Sequence, residues 1–242
     1  MQKVALVTGS SRGIGRAIAL RLAADGTCMV VNYRSDRQAA DNLVAEIEAN
    51  GAQAIAVQAD VADSGQLRSL FDAAERSFGG LDILVNNVGT ARFSAIAAAS
   101  DEDFDVMFAT NAKATFVALR EAANRLRDGG RIVVISSGVT VANRPASGLY
   151  AASKAAGEHM VRALARELGP REITVNSVLP GATRTDVFAN QQAAAIAAEF
   201  IARTPLGRIG EPADIADVVA FLTSASGRWI TGQAIHAGGG LF

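Results

Sequence analysis

The chain has one cysteine, two histidines and a formal net charge of only −1. A single cysteine excludes an internal disulfide, and Cys28 lies in the apolar run Cys28-Met29-Val30-Val31, where filling core is the simpler role. His159 and His236 are far apart in sequence and poorly accompanied, so no metal site is expected and both histidines read as surface or packing residues. The near-balanced charge offers no concentrated Lys and Arg excess for nucleic acid or an anionic membrane. No apolar run is long enough to cross a bilayer, and no export signal is read. The expectation is a cytoplasmic protein with a small-molecule partner. Linkers, repeats and low-complexity tracts are missing too, so residues 1–242 read as a single domain.

What is present is half hydrophobic and 19% charged, the composition of a folded domain with a large core. Short β-branched runs alternate with amphipathic, Ala-rich segments, the pattern of repeated βα units around a doubly wound parallel sheet, the Rossmann α/β class. Seven strands are expected, over 4–8, 29–33, 54–58, 83–86, 131–136, 174–179 and 234–236. Several are apolar on both faces, as they must be when helices cover both sides of a sheet. Helices are expected over 13–24, 37–50, 64–78, 100–126, 150–168 and 212–223, with Ser64 and Ser100 as N-caps. Gly26, Gly51 and Gly79 follow three of them, where positive φ is often needed. The stretch 182–210 is too long for an ordinary connection and reads as a substrate lid.

The first strand runs into Thr8-Gly9-Ser10-Ser11-Arg12-Gly13-Ile14-Gly15 and then a helix. Glycines there let the backbone approach a pyrophosphate, and a helix N-terminus presents free amides to it. Such a turn in isolation is also an ordinary tight turn. The second strand ends in Asn32-Tyr33-Arg34, where an NAD site would place an acidic residue. Arg34 and Arg12 together suit a 2′-phosphate, so NADP(H) is the preferred cofactor. Asp36 keeps NAD(H) open, and both arginines also read as solvated surface residues.

Tyr150 and Lys154 are one helical turn apart, and an ammonium beside a phenol lowers its pKa toward the working range of an acid/base. The spacing also occurs by chance on surface helices. Together with the turn, Asp60-Val61, Asn86-Asn87-Val88-Gly89, Asn111, Ser137 and Pro180-Gly181, in that order, it resembles the classical short-chain dehydrogenase/reductase family over essentially the whole chain. The resemblance implies a hydride transfer between a nicotinamide and a carbonyl or secondary alcohol. Tyr150 would be the general acid/base, Lys154 would tune it and hold the nicotinamide ribose, and Ser137 would hydrogen-bond the substrate oxygen. Asn111 would help hold a water in a proton relay. Gly9, Ser10, Ser11, Arg12, Ile14, Gly15, Asn32, Tyr33 and Arg34 would hold the adenosine and pyrophosphate side. Asp60 and Val61 would flank the adenine, Asn87 and Gly89 would border the cofactor, and Pro180, Gly181, Thr183 and Thr185 would shape the nicotinamide pocket. Thr183 stands where the family usually has Ile, and Val88 where it usually has Ala.

Within the family the chain is most similar to 3-oxoacyl-acyl-carrier-protein reductases, through Asn32-Tyr33-Arg34, Arg171 to Asn176 and Ile230 to Gln233. That group docks an acidic carrier protein on basic residues. Arg171 matches one of these positions, but Asp128 stands at the other and should repel the carrier. A 3-oxoacyl thioester, a keto ester and a small ketone all remain open as substrates. The lid, 186–205, suits an apolar body through Phe188, Ile196, Phe200 and Ile201. The resemblance also implies a homotetramer. A non-catalytic dinucleotide sensor or scaffold of the same fold is the alternative, opposed by retention of all four catalytic positions.

Overall fold

The computed structural model describes residues 2–185 and 191–242. β1 (Val4–Val7) is buried throughout and leads through the Gly-rich turn into α1 (Gly13–Ala24). Then follow β2 (Cys28–Tyr33), α2 (Arg37–Ala49), β3 (Ala54–Gln58), α3 (Ser64–Phe78) and β4 (Leu81–Asn86). Next are α4 (Asp101–Met107), a π-helical segment Phe108–Lys113, α5 (Ala114–Arg125), β5 (Leu126–Ile135) and the short α6 (Val139–Ala142). The chain closes with α7 (Gly148–Glu167), β6 (Thr174–Pro180), α8 (Gln191–Arg203), α9 (Pro212–Thr223) and β7 (Ala234–Ala237). No helix among the described residues is long and apolar enough to cross a membrane.

The strands form one parallel sheet in the order β3-β2-β1-β4-β5-β6-β7. Alternate residues of each strand serve opposite cores. Val4, Leu6, Cys28 and Val30 pack with Leu67, Phe71, Val117 and Val161 on the side of α3, α5 and α7. Ala5, Val7, Met29 and Val31 pack with Ile18, Leu22, Leu43 and Val219 on the side of α1, α2 and α9. Two covered faces explain why these strands are apolar at every position. The chain reverses its direction of growth between β1 and β4, and in such sheets ligands bind at the strand carboxyl ends beside that reversal.

Four local expectations are corrected. Asp63, not Ser64, caps α3, its carboxylate accepting from the amides of Gly65 and Gln66. The helix expected over 100–126 is interrupted by the π segment, and Leu126 already belongs to β5, paired with Leu81. Gly148 and Leu149 are part of α7. The stretch 182–210 contains a full helix, α8, whose Ala-rich sequence is a strong helix former. Ser100 does cap α4, and Gly26, Gly51 and Gly79 do have positive φ. Phe188 of the expected lid lies outside the described residues.

Candidate active site and dinucleotide cleft

Loops from six successive strand ends converge at the reversal. The turn after β1 is shaped from below by buried side chains. Ser10 Oγ donates to the Val7 carbonyl at 2.8 Å and accepts from the Asn32 amide at 3.0 Å, while Asn32 Oδ1 accepts from the Gly9 amide at 2.9 Å. Asn32 directs its own NH2 at the Tyr33, Val57 and Ala59 carbonyls, so it and Ser10 hold the shape of the turn. Gly9 and Gly13 have φ of 60° and 55°, and a Cβ on Gly15 would lie 2.5 Å from the Gly9 carbonyl oxygen. Arg12 is the N-cap of α1 but its side chain caps nothing, leaving the first amides of the helix open to an anion, with Ser11 and Ile14 partly exposed beside them.

Arg12 and Arg34 are both exposed, and among the described residues neither has an acidic partner. Asp36, which kept NAD(H) open, accepts from the Ala39 amide at 3.0 Å as the N-cap of α2. Tyr33 is buried. After β3, Asp60 Oδ1 accepts from the Ala62 amide, and the Val61 side chain is in the α3-side core. The strand β4 is locked to the turn: Asn87 Nδ2 donates to the Thr8 and Gly9 carbonyls, and the Asn87 and Val88 amides donate to Thr8 Oγ1. The extra bulk of Val88 fits against Gly9, whose Cβ, were there one, would lie 2.7 Å from Val88 Cγ2.

Lys154 is 7% exposed, and its ammonium donates to the Ile135 carbonyl at 3.0 Å and the Val88 carbonyl at 3.5 Å. Burial pushes it down to about 8. A Cβ at position 89 would lie 2.5 Å from Lys154 Nζ, so a side chain there would displace the ammonium. Burial raises the Tyr150 pKa, and the neighbouring Ser137 hydroxyl opposes that rise. Burial is the dominant influence on the phenol, ahead of the Ser137 hydroxyl. Asn111 lies in the π segment, a distortion often found at functional sites. Its Oδ1 accepts from the Thr90 amide, and its two amide hydrogens go to the Thr90 carbonyl and Ser153 Oγ. With both hydrogens used, the side chain fixes the loop after β4 to α7, while its Oδ1 keeps a second lone pair that can accept from a water.

After β6, a Cβ on Gly181 would lie 2.8 Å from Gly238 Cα, and the Pro180 carbonyl accepts from the Gly138 amide. Thr183 is buried with its hydroxyl donating to the Gly181 carbonyl, so threonine satisfies itself where an aliphatic would only pack. Thr185 overhangs the first turn, with its methyl 3.5 Å from where Gly13 would carry a Cβ.

Several contributors were not anticipated. Thr8 stitches β4 to the turn, Ser153 supports Asn111, and Phe93 meets the Tyr150 ring edge-on at 5.7 Å. Phe242 packs on Gly138, next to Ser137. The Ser and Thr positions had a signal in their closeness to the motifs; the two phenylalanines are brought in by tertiary structure alone. Arg171, expected to face a carrier protein, donates to Asp128 at 2.7 Å and to the Ala123 and Leu126 carbonyls.

The chain matches the family model described as Enoyl-(Acyl carrier protein) reductase over residues 9–242. It is 41% identical to a versicolorin reductase of Emericella nidulans over 99% of this chain and 96% of that one. Among solved structures, an angucycline C-6 ketoreductase with bound NADP superposes with a TM-score of 0.93 at 41% identity, covering 99% and 95% of the two chains. A short-chain dehydrogenase from Burkholderia cenocepacia in complex with NADP gives 0.92 at 44% identity, over 99% and 97%. Strand order, cleft and sequence agree: the chain belongs to the short-chain dehydrogenase/reductase family of NAD(P)-dependent oxidoreductases.

Proposed function

We propose that this protein is an NADPH-dependent reductase of free small-molecule ketones, reversible as a secondary alcohol dehydrogenase, that works as a homotetramer. The observation that carries the reading is the placement of Tyr150 by the Ser137 hydroxyl and one helical turn from buried Lys154, at the mouth of a cleft whose turn and glycines fit a pyrophosphate. The similar solved structures that hold NADP support the cofactor, as do two arginines without acidic partners among the described residues and an Asp36 committed to a helix cap.

In this reading Gly9 to Gly15 hold the pyrophosphate at the N-terminus of α1, and Arg12 and Arg34 hold the 2′-phosphate. Asp60 and Val61 flank the adenine, and Asn87, Gly89, Pro180, Gly181, Thr183 and Thr185 border the nicotinamide side. When bound, NADPH supplies the hydride. Tyr150 donates its phenolic proton to the carbonyl oxygen in reduction and removes a proton from the alcohol in oxidation. Ser137 donates to the same oxygen, stabilising the developing alkoxide without changing charge. Lys154 holds a positive charge behind the ring, which favours the phenolate during the proton transfer. Asn111 acts as a positioning residue through Thr90 and Ser153.

A free substrate is favoured over a carrier-bound thioester because Arg171 is already neutralised by Asp128. Assembly through the α4–α5 and α7 faces and the C-terminal region is supported by exposed Phe104 and Phe116 on one side and Trp229, 95% exposed, on the other. The test is NADPH and NADH consumption against aryl ketones, β-keto esters and an acetoacetyl thioester. NADPH-dependent turnover of free ketones is expected; thioester preference would return the carrier-linked reading, and NADH preference would overturn the cofactor assignment.

A further inference from the structure

Arg144 is singled out by its surroundings. It lies in the short loop from α6 to α7, between Asn143 and Ala146, two non-glycine residues at φ of 48° and 63°. L side chains rarely adopt that conformation, so the loop is held in shape by its contacts. The Ser94 amide donates to the Ala146 carbonyl at 2.9 Å, and the Ser147 hydroxyl donates to the Arg144 carbonyl at 2.5 Å. The first of these bonds ties the loop to the segment that places Phe93 against Tyr150. From there the Arg144 guanidinium lies 5.2 Å from the centre of the Phe200 ring on α8.

Other arginines on this side of the molecule are neutralised: Arg184 by Glu211, Arg203 by Glu199 and Arg208 by Asp214. Among the described residues no carboxylate pairs with Arg144, although it is exposed and fixed. A guanidinium stacked on an aromatic face keeps its planar fork of N–H donors at the edge, directed away from the ring. The mouth therefore has two exposed or half-buried phenylalanines, Ile96 at 73% exposure, and a cation without a carboxylate partner among the described residues.

Resting on the ketone-reductase reading, we propose that Arg144 is a specificity-determining residue: the substrate is an apolar ketone that carries a carboxylate or ionised phenol remote from the carbonyl. The carbonyl meets Tyr150 and Ser137, the apolar body lies against Phe93 and Phe200, and the anion takes the fork of Arg144. A charge-assisted pair of this kind at a partly dry mouth is worth about tenfold in selectivity.

The test uses a tetralone carboxylate and its methyl ester as matched substrates with NADPH, in the wild type, Arg144→Gln and Arg144→Lys. The ratio of kcat/KM for acid over ester is expected to fall about tenfold in the Gln variant and to recover in large part in the Lys variant. Because the ratio is internal to each protein, partial misfolding does not mimic this result. A ratio unchanged within about twofold in Arg144→Gln overturns the proposal. Calorimetric binding of the two alcohol products separates it from the parent reading. If the acid product binds better than the ester product and Arg144→Gln abolishes the difference, Arg144 reads the anion even where neither ketone turns over. No difference in binding overturns the proposal.

Discussion

The cofactor half of the cleft and the substrate mouth are built in opposite ways. Around β1 and β4 the buried polar side chains are committed: those of Thr8, Ser10, Asn32 and Asn87 bond the backbone of the turn and of the neighbouring strand ends, and glycines such as Gly15 stand where a Cβ would meet backbone. At the mouth Phe93, Ile96 and Leu206 are largely exposed, and Arg144 has no carboxylate partner among the described residues. Preorganisation is concentrated where a constant ligand and one reaction must be served, and adaptable apolar surface where the substrate varies. Changes in the first half should therefore damage chemistry with any substrate, and changes in the second should redistribute preference among substrates.

After removal of the acid/base itself, the largest effect on that contrast is expected from Ser137→Ala. Loss of a donor to the developing alkoxide should lower kcat by about 100-fold for every ketone tested. The same change removes the hydroxyl that counters the rise of the Tyr150 pKa, so the pH profile of alcohol oxidation should move to higher pH. A loss confined to one substrate would place Ser137 with the mouth instead.

Arg12→Gln and Arg34→Gln come next. Each should raise the KM for NADPH about tenfold while leaving that for NADH nearly unchanged. Equal losses with both cofactors would mean that the two arginines act on the fold and not on a 2′-phosphate.

The smallest effect concerns stability. Lys154 is held at about 8 in the folded protein against an ordinary 10.5, so the unfolded chain binds more protons between these values and stability should rise with pH across that window. Denaturant titrations of wild type and Lys154→Met from pH 7 to 10.5 should show the wild type gaining on the variant through this range. Parallel curves would mean that Lys154 is not held as a buried, destabilised cation.

The same contrast governs what was legible in the sequence. Strands apolar on both faces, the Gly-rich turn and the Tyr150–Lys154 spacing depend on local period, and each lies in the structure where the pattern puts it. Boundaries failed where two neighbours compete for one role, as Asp63 and Ser64 do for the α3 cap. The helix α8 is legible as an Ala-rich run, but the length of the connection that contains it points instead to an irregular loop. The pairing of Arg171 with Asp128, the engagement of Asn111 by Thr90 and the seating of Phe93 on Tyr150 join residues distant in the chain, and no local pattern encodes them.

Tyr150→Phe tests the central claim most directly, with NADPH binding followed by fluorescence titration and NADPH consumption measured on the same preparation. The account predicts binding within about threefold of wild type and a loss of turnover of about 1,000-fold or more, since only the acid/base is removed. Turnover that survives the substitution would contradict the assignment of Tyr150 as the proton donor.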